Sequence, residues 1–232
     1  DLIIANNCLA HIPNLSSIFK AIFKRLKKDG KLIFEVNSLY HMVVNDVFDY
    51  IYHEHIFYHS ITSLRKLLSL AEIYINDVKF VATKGGSFRI TCSKINIQND
   101  SVNYWELKES SLGLHQINPL IFESMNIYIP FLKNSLHKLV SEKKFNRLFL
   151  FGACATTTVL IEALDLAKIA CGIIDDNTKL VFCDYRTGFF TKNFCDTLFK
   201  LIDHKNLCFI DSQCHRHQPR YEWFRDCIPV MN

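Results

Sequence analysis

Residues 1–37 read DLIIANNCLAHIPNLSSIFKAIFKRLKKDGKLIFEVN, and they decide the fold class. Asp1-Leu2-Ile3-Ile4-Ala5 is an apolar run closing on Asn6-Asn7, the pattern of a buried parallel strand. Asn14 or Ser16 can cap a helix along which Ile18, Phe19, Ile22, Phe23 and Leu26 recur at helical spacing. Asp29-Gly30 makes a turn, and Lys31 to Asn37 (KLIFEVN) is the next strand. Strand, helix, turn and strand together predict a right-handed crossover in an α/β sheet.

Further along, Ser60 or Thr62 caps a helix through Leu64, Leu67, Leu68 and Ala71. Ile73 to Val81 alternates as a strand, Gly85-Gly86 interrupts, and Ser87 to Lys94 forms another strand with Phe88, Ile90 and Cys92 on one face. The pair predicts an antiparallel hairpin at a sheet edge. Residues 96–115 are polar and irregular, which places a boundary there. Residues 116–143 read as one long helix, with Pro119 and Pro130 as break points. Leu148 to Phe151 is a short buried strand leading into GACATTT at 152–158, a helix through Leu160 to Lys168, and a strand at Ala170 to Ile174. A small-residue turn between strand and helix marks a second, small Rossmann-like α/β unit. A helix at 194–203 and a strand at 207–210 follow. The expected division is 1–95, 96–145 and 146–232.

With 49% hydrophobic and 22% charged residues, the 232-residue chain has the profile of a folded domain pair rather than a disordered one. A net charge of +4 selects no polyanionic partner. The cations Lys24, Arg25, Lys27 and Lys28 sit at a helix end, where they complement its dipole. Nucleic acid is therefore not expected as a partner. No apolar run reaches the roughly 18 residues of a membrane span. The nine cysteines contain no CxxC pair and read as reduced, mostly buried thiols of a cytoplasmic protein. A monomer is expected.

The densest chemistry is Tyr50-Ile51-Tyr52-His53-Glu54-His55-Ile56-Phe57-Tyr58-His59. Imidazole titrates nearest neutrality and suits proton abstraction, and a nearby carboxylate can orient it. Phenols can hydrogen-bond a sugar hydroxyl or keto oxygen. Two other readings stay open: metal binding through the H-x-H-x3-H spacing of His53, His55 and His59, and a polar loop whose imidazoles satisfy backbone groups.

The strings ANNCLAHIPNL, FDYIYHEHIFYHSITSL, KGGSFRI and LFGACATTT occur in this order at sensible spacing. Together they resemble the NDP-hexose C-methyltransferase family, which makes branched-chain deoxysugars on a class I methyltransferase fold. The likeness is strong over residues 1–95, weaker to about 178, and poor beyond. It implies S-adenosyl-L-methionine as methyl donor and a nucleotide-linked keto-deoxysugar as substrate. It implies that His55 is the base removing the proton alpha to the ketone, with Tyr52 and Glu54 against the sugar. It implies that His11 lies in the same pocket, able to donate to the keto oxygen. Ala5, Asn6 and Asn7 fall where open α/β sheets bind ligands and are the cofactor candidates, although Asn6 or Asn7 can equally cap the next helix. Gly86, Ser87 and Arg89 match the family's GGSxR string and are the substrate-binding candidates, Arg89 toward a diphosphate.

Departures from the family also carry expectations. Thr156-Thr157 replaces the Lys-Gly of the family's GAxAKG turn, so the turn reads first as tight packing, with phosphate cradling by backbone amides at the helix start as the alternative. The Gly-rich donor turn and the zinc-binding domain of the family lie upstream of the strand where this chain starts. The sequence is therefore expected to be a fragment or the product of a decayed gene, its zinc confined to the absent part. The rival readings are a non-catalytic methyltransferase-like binding protein and a His-cluster metalloprotein.

Overall fold

A computed structural model describes residues 1–97, 99–114, 122–142, 147–152, 154–174, 182–183, 190–191 and 207–211. Two compact units are present. The first comprises residues 1–47 and 53–124, and the second comprises residues 48–52 and 125–232.

The first unit is a four-stranded sheet, built from β1 (Leu2–Asn6), β2 (Lys31–Asn37), β3 (Tyr74–Val81) and β4 (Ser87–Ser93) in the order β1-β2-β4-β3. β1 runs parallel to β2, with Leu2 opposite Lys31 and Asn6 opposite Glu35. β4 is antiparallel to both β2 and β3. The predicted hairpin therefore forms, but its second strand inserts beside β2 and its first becomes the edge.

Helix α1 (Leu15–Arg25) connects β1 to β2, capped by Asn14, whose side chain accepts from the Ser17 N–H at 3.1 Å. The core joins its Leu15 and Phe19 to Leu32, Phe34 and Val36 of β2 and Phe88, Ile90 and Cys92 of β4. Helix α3 (Ile61–Ser69) adds Ile61, Leu64 and Leu68 to the same cluster. Each such side chain contributes roughly 1.5–3 kcal/mol by leaving water. On β3 the alternation slips at Asn76, between Ile75 and Asp77, so that Ile75 and Val78 both reach this core.

Three expectations change. β1 is not buried on both faces: among the described residues it pairs with β2 alone, and Leu2 and Ile4 are exposed while Ile3 and Ala5 pack on the core. The stretch 96–115 is not irregular. It holds helix α4 (Asp100–Ser111), with Val102 and Glu109 fully buried in the first unit. Within residues 38–60, Ser38 caps a short helix, α2 (Leu39–Val44), that weak periodicity concealed.

The second unit contains all but the first two residues of α5 (Glu123–Ser141), which carries Pro130 without ending there, and a second sheet. β5 (Arg147–Phe151) is flanked by parallel β6 (Ala170–Ile174) and β9 (Leu207–Asp211). β7 (Phe182–Cys183) and β8 (Phe190–Thr191) add antiparallel. Helix α6 (Ala155–Leu164) joins β5 toward β6, giving the small α/β unit that the sequence predicts. Gly152 has a φ of 91°, and the Thr157 hydroxyl donates to its carbonyl, which accounts for a tightly closed turn. Pro119, the helix read at 194–203, and Asp175-Asp176-Asn177 lie outside the described residues.

Candidate active site at the ends of β1 and β2

Asn7 leaves β1 with a φ of 52°, a left-handed conformation that asparagine tolerates, and its N–H donates to the Glu35 carbonyl at 2.8 Å. The chain then makes a 3₁₀ turn, Leu9–His11, anchored by buried Leu9 and Ala10. This turn holds His11 exposed at the carboxyl end of β1.

Residues 54–57 are strapped to the same turn. The N–H groups of Ile56 and Phe57 donate to the Ala10 carbonyl at 2.9 and 3.4 Å. His11 Nδ1 lies 2.8 Å from the Glu54 carbonyl. A carbonyl only accepts, so Nδ1 carries the hydrogen and Nε2 is the nitrogen left to present. The far end of the segment is tied beyond β2: Ser38 bridges His59, and the Leu39 N–H donates to the His59 carbonyl at 2.9 Å. The loop is thus pinned at both ends against the carboxyl ends of the two opening strands, where open α/β sheets bind ligands.

His55 sits inside this strap. It is 9% exposed, and its ring centroid is 5.0 Å from that of His11, tilted by 56°. The Tyr58 ring meets it edge-on at 6.3 Å. Of the four catalytic candidates, the structure brings together His11, Glu54 and His55. Glu54 joins through its carbonyl, while the residue is exposed. Tyr52 belongs to the second unit, its ring 6.3 Å from Tyr50.

Among the cofactor candidates, Ala5 packs on the core and Asn6 is exposed at the strand's last position. Neither caps α1, since Asn14 does. Asn7 Oδ1 is a buried acceptor with no partner among the described residues. Such an atom costs free energy unless a donor reaches it.

The substrate-binding candidates have structural partners. Gly86 has a φ of 117°, and a Cβ there would stand 2.6 Å from His41 Cβ. The Ser87 hydroxyl donates to the Thr83 carbonyl at 3.1 Å. Arg89 sits directly across from Glu35 in the sheet, and its Nε and one terminal nitrogen donate to Glu35 Oε2 at 3.1 and 2.9 Å.

Two histidines gained environments that spacing did not signal. His41 is ringed by Tyr40, Phe80, Phe88 and Trp105 at 4.4–5.5 Å between centroids, with Nδ1 2.8 Å from the Ser38 hydroxyl. His59 is 5% exposed, with Nε2 lacking any partner among the described residues. Burial lowers the pKa of each to about 4. Among the described residues, no three His, Cys, Asp or Glu side chains are placed to share a metal ion, His53, His55 and His59 included. Likewise, no helix among them is long and apolar enough to cross a membrane. Of the cysteines described, Cys92 is buried, Cys154 is partly covered and Cys8 is exposed.

Residues 1–73 match the family described as "Methyltransferase domain". The C-methyltransferase NovU of Streptomyces niveus is 34% identical over 86 residues, which make up 37% of this chain and 20% of that protein. The chain therefore spans about a fifth of the length of the curated relative it matches.

Proposed function

We propose that the chain, whose residues 1–73 match the methyltransferase domain family, is part of an S-adenosyl-L-methionine-dependent C-methyltransferase. Its substrate is a nucleotide-linked keto-deoxysugar, methylated on the carbon alpha to the ketone. The observation that carries this reading is the pairing of His55 with His11, 5.0 Å apart, at the carboxyl end of β1. Two imidazoles at that spacing can serve one ketone, one at the alpha carbon and one at the oxygen. NovU, by name a C-methyltransferase, supports carbon as the acceptor.

In this reading a ring nitrogen of neutral His55 takes the proton from the alpha carbon. The C–H bonding pair moves into an enolate, whose negative charge rests on the former keto oxygen. His11, as the imidazolium, donates to that oxygen from Nε2 while its Nδ1–H is held by the Glu54 carbonyl. When bound, S-adenosyl-L-methionine supplies an electrophilic methyl group on a sulfonium, which the alpha carbon acquires as the thioether departs. Asn7 is the residue assigned to hold the donor's amino group through its otherwise unpartnered oxygen. The strap over residues 54–57 fixes where His55 stands, so that positioning does much of the remaining work. Glu54 is assigned to sugar hydroxyls.

The test is transfer of a labelled methyl group from S-adenosyl-L-methionine to nucleotide-linked keto-deoxysugars by the chain, with product mapped by NMR. A new carbon–carbon bond alpha to the ketone is expected, and its formation lost in His55→Gln. Methylation on oxygen or nitrogen, or none on any carbon, contradicts the reading.

A further inference from the structure

Glu109 is a buried carboxylate that the reaction described above does not use. It lies on α4, and both of its oxygens are committed to the start of α3. Oε1 accepts from the Ile61 N–H at 2.5 Å. Oε2 accepts from the Thr62 N–H at 3.0 Å and from the Thr62 hydroxyl at 2.9 Å. Three donors on two oxygens suit the ionised form, although burial pushes this carboxyl upward.

Stability alone is a poor reason for such a contact. Taking a carboxylate out of water is costly, and the bonds it gains inside often do no more than offset that cost. Helix α3 already closes part of its first turn with Ser60 and Ser63, and water can serve the remaining N–H groups of an open helix start. A buried carboxylate does what water does not: it fixes those N–H groups in one place.

The place it fixes is the end of the loop that carries His55. Ile61 and Thr62 directly follow His59 and Ser60. His59 is held from another direction, by its bridge to Ser38 and by the Leu39 N–H at 2.9 Å. Ile56 and Phe57 are held by the Ala10 carbonyl. Tyr58 stands between these two anchored stretches, and its ring meets that of His55 edge-on, 6.3 Å between centroids. A shift of residues 59–62 therefore reaches the His55 ring through Tyr58. We infer that Glu109 is a positioning residue, which sets where the 54–59 segment ends and so how the His55 ring is aimed. That His55 is a base rests on the proposed function. The clamp and its hold on the His55 ring do not.

Glu106 supplies the contrast. It lies one turn earlier on α4 and pairs with Arg65 at 2.9 Å, so it joins the same two helices a turn beyond the start of α3.

The experiment follows the His55 ring by NMR in the ¹⁵N-histidine-labelled full chain, with thermal unfolding to show which variants are folded. Glu109→Gln turns one acceptor into an amide NH₂ that faces a donor, and it is expected to move the His55 signals. Thr62→Val removes one of the three donors at nearly constant shape and should move them the same way by less. Glu106→Gln should leave them in place. In alpha-proton exchange of a nucleotide-linked keto-deoxysugar in D₂O, Glu109→Gln should lower kcat about 10–100-fold with KM little changed. The inference is overturned if the His55 signals stay in place in Thr62→Val and in folded Glu109→Gln. It is equally overturned if Glu106→Gln moves them as far, or if folded Glu109→Gln exchanges at the parental rate. Should Glu109→Gln fail to fold, Thr62→Val decides alone. Signals that move as expected in a chain with no exchange activity count against the proposed reaction alone. Exchange by the parent with unmoved signals in the variants counts against this inference alone.

Discussion

A base that removes a carbon-bound proton must be neutral before the step, whereas a donor to the developing oxyanion must carry a proton on the nitrogen it presents. His55 and His11 therefore have to react in opposite protonation states. The Glu54 carbonyl already holds the Nδ1–H of His11, so donation from Nε2 requires the imidazolium. His11→Gln should lower kcat about 10²–10³-fold. An unchanged kcat in this variant would remove His11 from the role. At the same scale, Gly86 is required by geometry. Its φ of 117° and the 2.6 Å approach of His41 to a built Cβ predict that Gly86→Ala costs about 1–3 kcal/mol in urea unfolding. Unchanged stability there would show that His41 yields easily.

Helix α3 illustrates what an element owes to residues far away in sequence. Its own capping box, Ser60 with Ser63, closes one part of the N-terminal turn. The rest is closed by Glu109 of α4, which is fully buried and accepts from the Ile61 N–H at 2.5 Å and the Thr62 N–H at 3.0 Å. The Thr62 hydroxyl donates to the same carboxylate at 2.9 Å. Burial pushes the Glu109 carboxyl upward, against these donated bonds, which pull it down. Glu109→Ala leaves two buried N–H groups unmatched and should destabilise the first unit by about 2–4 kcal/mol, measured by urea unfolding. A loss under half a kilocalorie per mole would mean that water replaces the carboxylate. The Ser60 cap is legible in the sequence because it is local. Glu109 is not, because it stands in a polar stretch whose apolar periodicity is weak and its partners are 47 and 48 residues away. For the same reason α4 itself read as irregular, while α1, with its apolar stripe and Asn14 cap, was plain.

Across the whole molecule, local pattern revealed the α/β class, β1 through β6 and the strand at 207–211, because strand periodicity and turn residues lie within short windows. Burial was less legible. The apolar run Leu2-Ile3-Ile4 reads as interior, yet among the described residues β1 has one neighbour and leaves Leu2 and Ile4 exposed. Within the candidate site, the cluster at 50–59 was visible by composition. The strap to Ala10 and the unpartnered His59 nitrogen were not, since both depend on contacts across the sheet. His41, partly buried, and His59, buried, also set a stability trend. Burial lowers the folded pKa of His41 and His59 to about 4, below the ordinary 6.5, so the unfolded chain takes up protons first as pH falls. Their contribution is complete above pH 6.5 and is lost as pH falls through about 4. For His59 this amounts to about 2 kcal/mol between pH 7 and 4.5, and His59→Gln should flatten that part of the urea-midpoint profile. An unflattened profile would place the pH dependence elsewhere. The central claim, that His55 strips the alpha proton, is tested most directly without any methyl donor. The chain is incubated in D₂O with a nucleotide-linked keto-deoxysugar, and loss of the alpha-proton signal is followed by NMR. The account predicts exchange with the parent chain that falls at least about 100-fold in a folded His55→Gln variant, and equal exchange rates in the two proteins would contradict it.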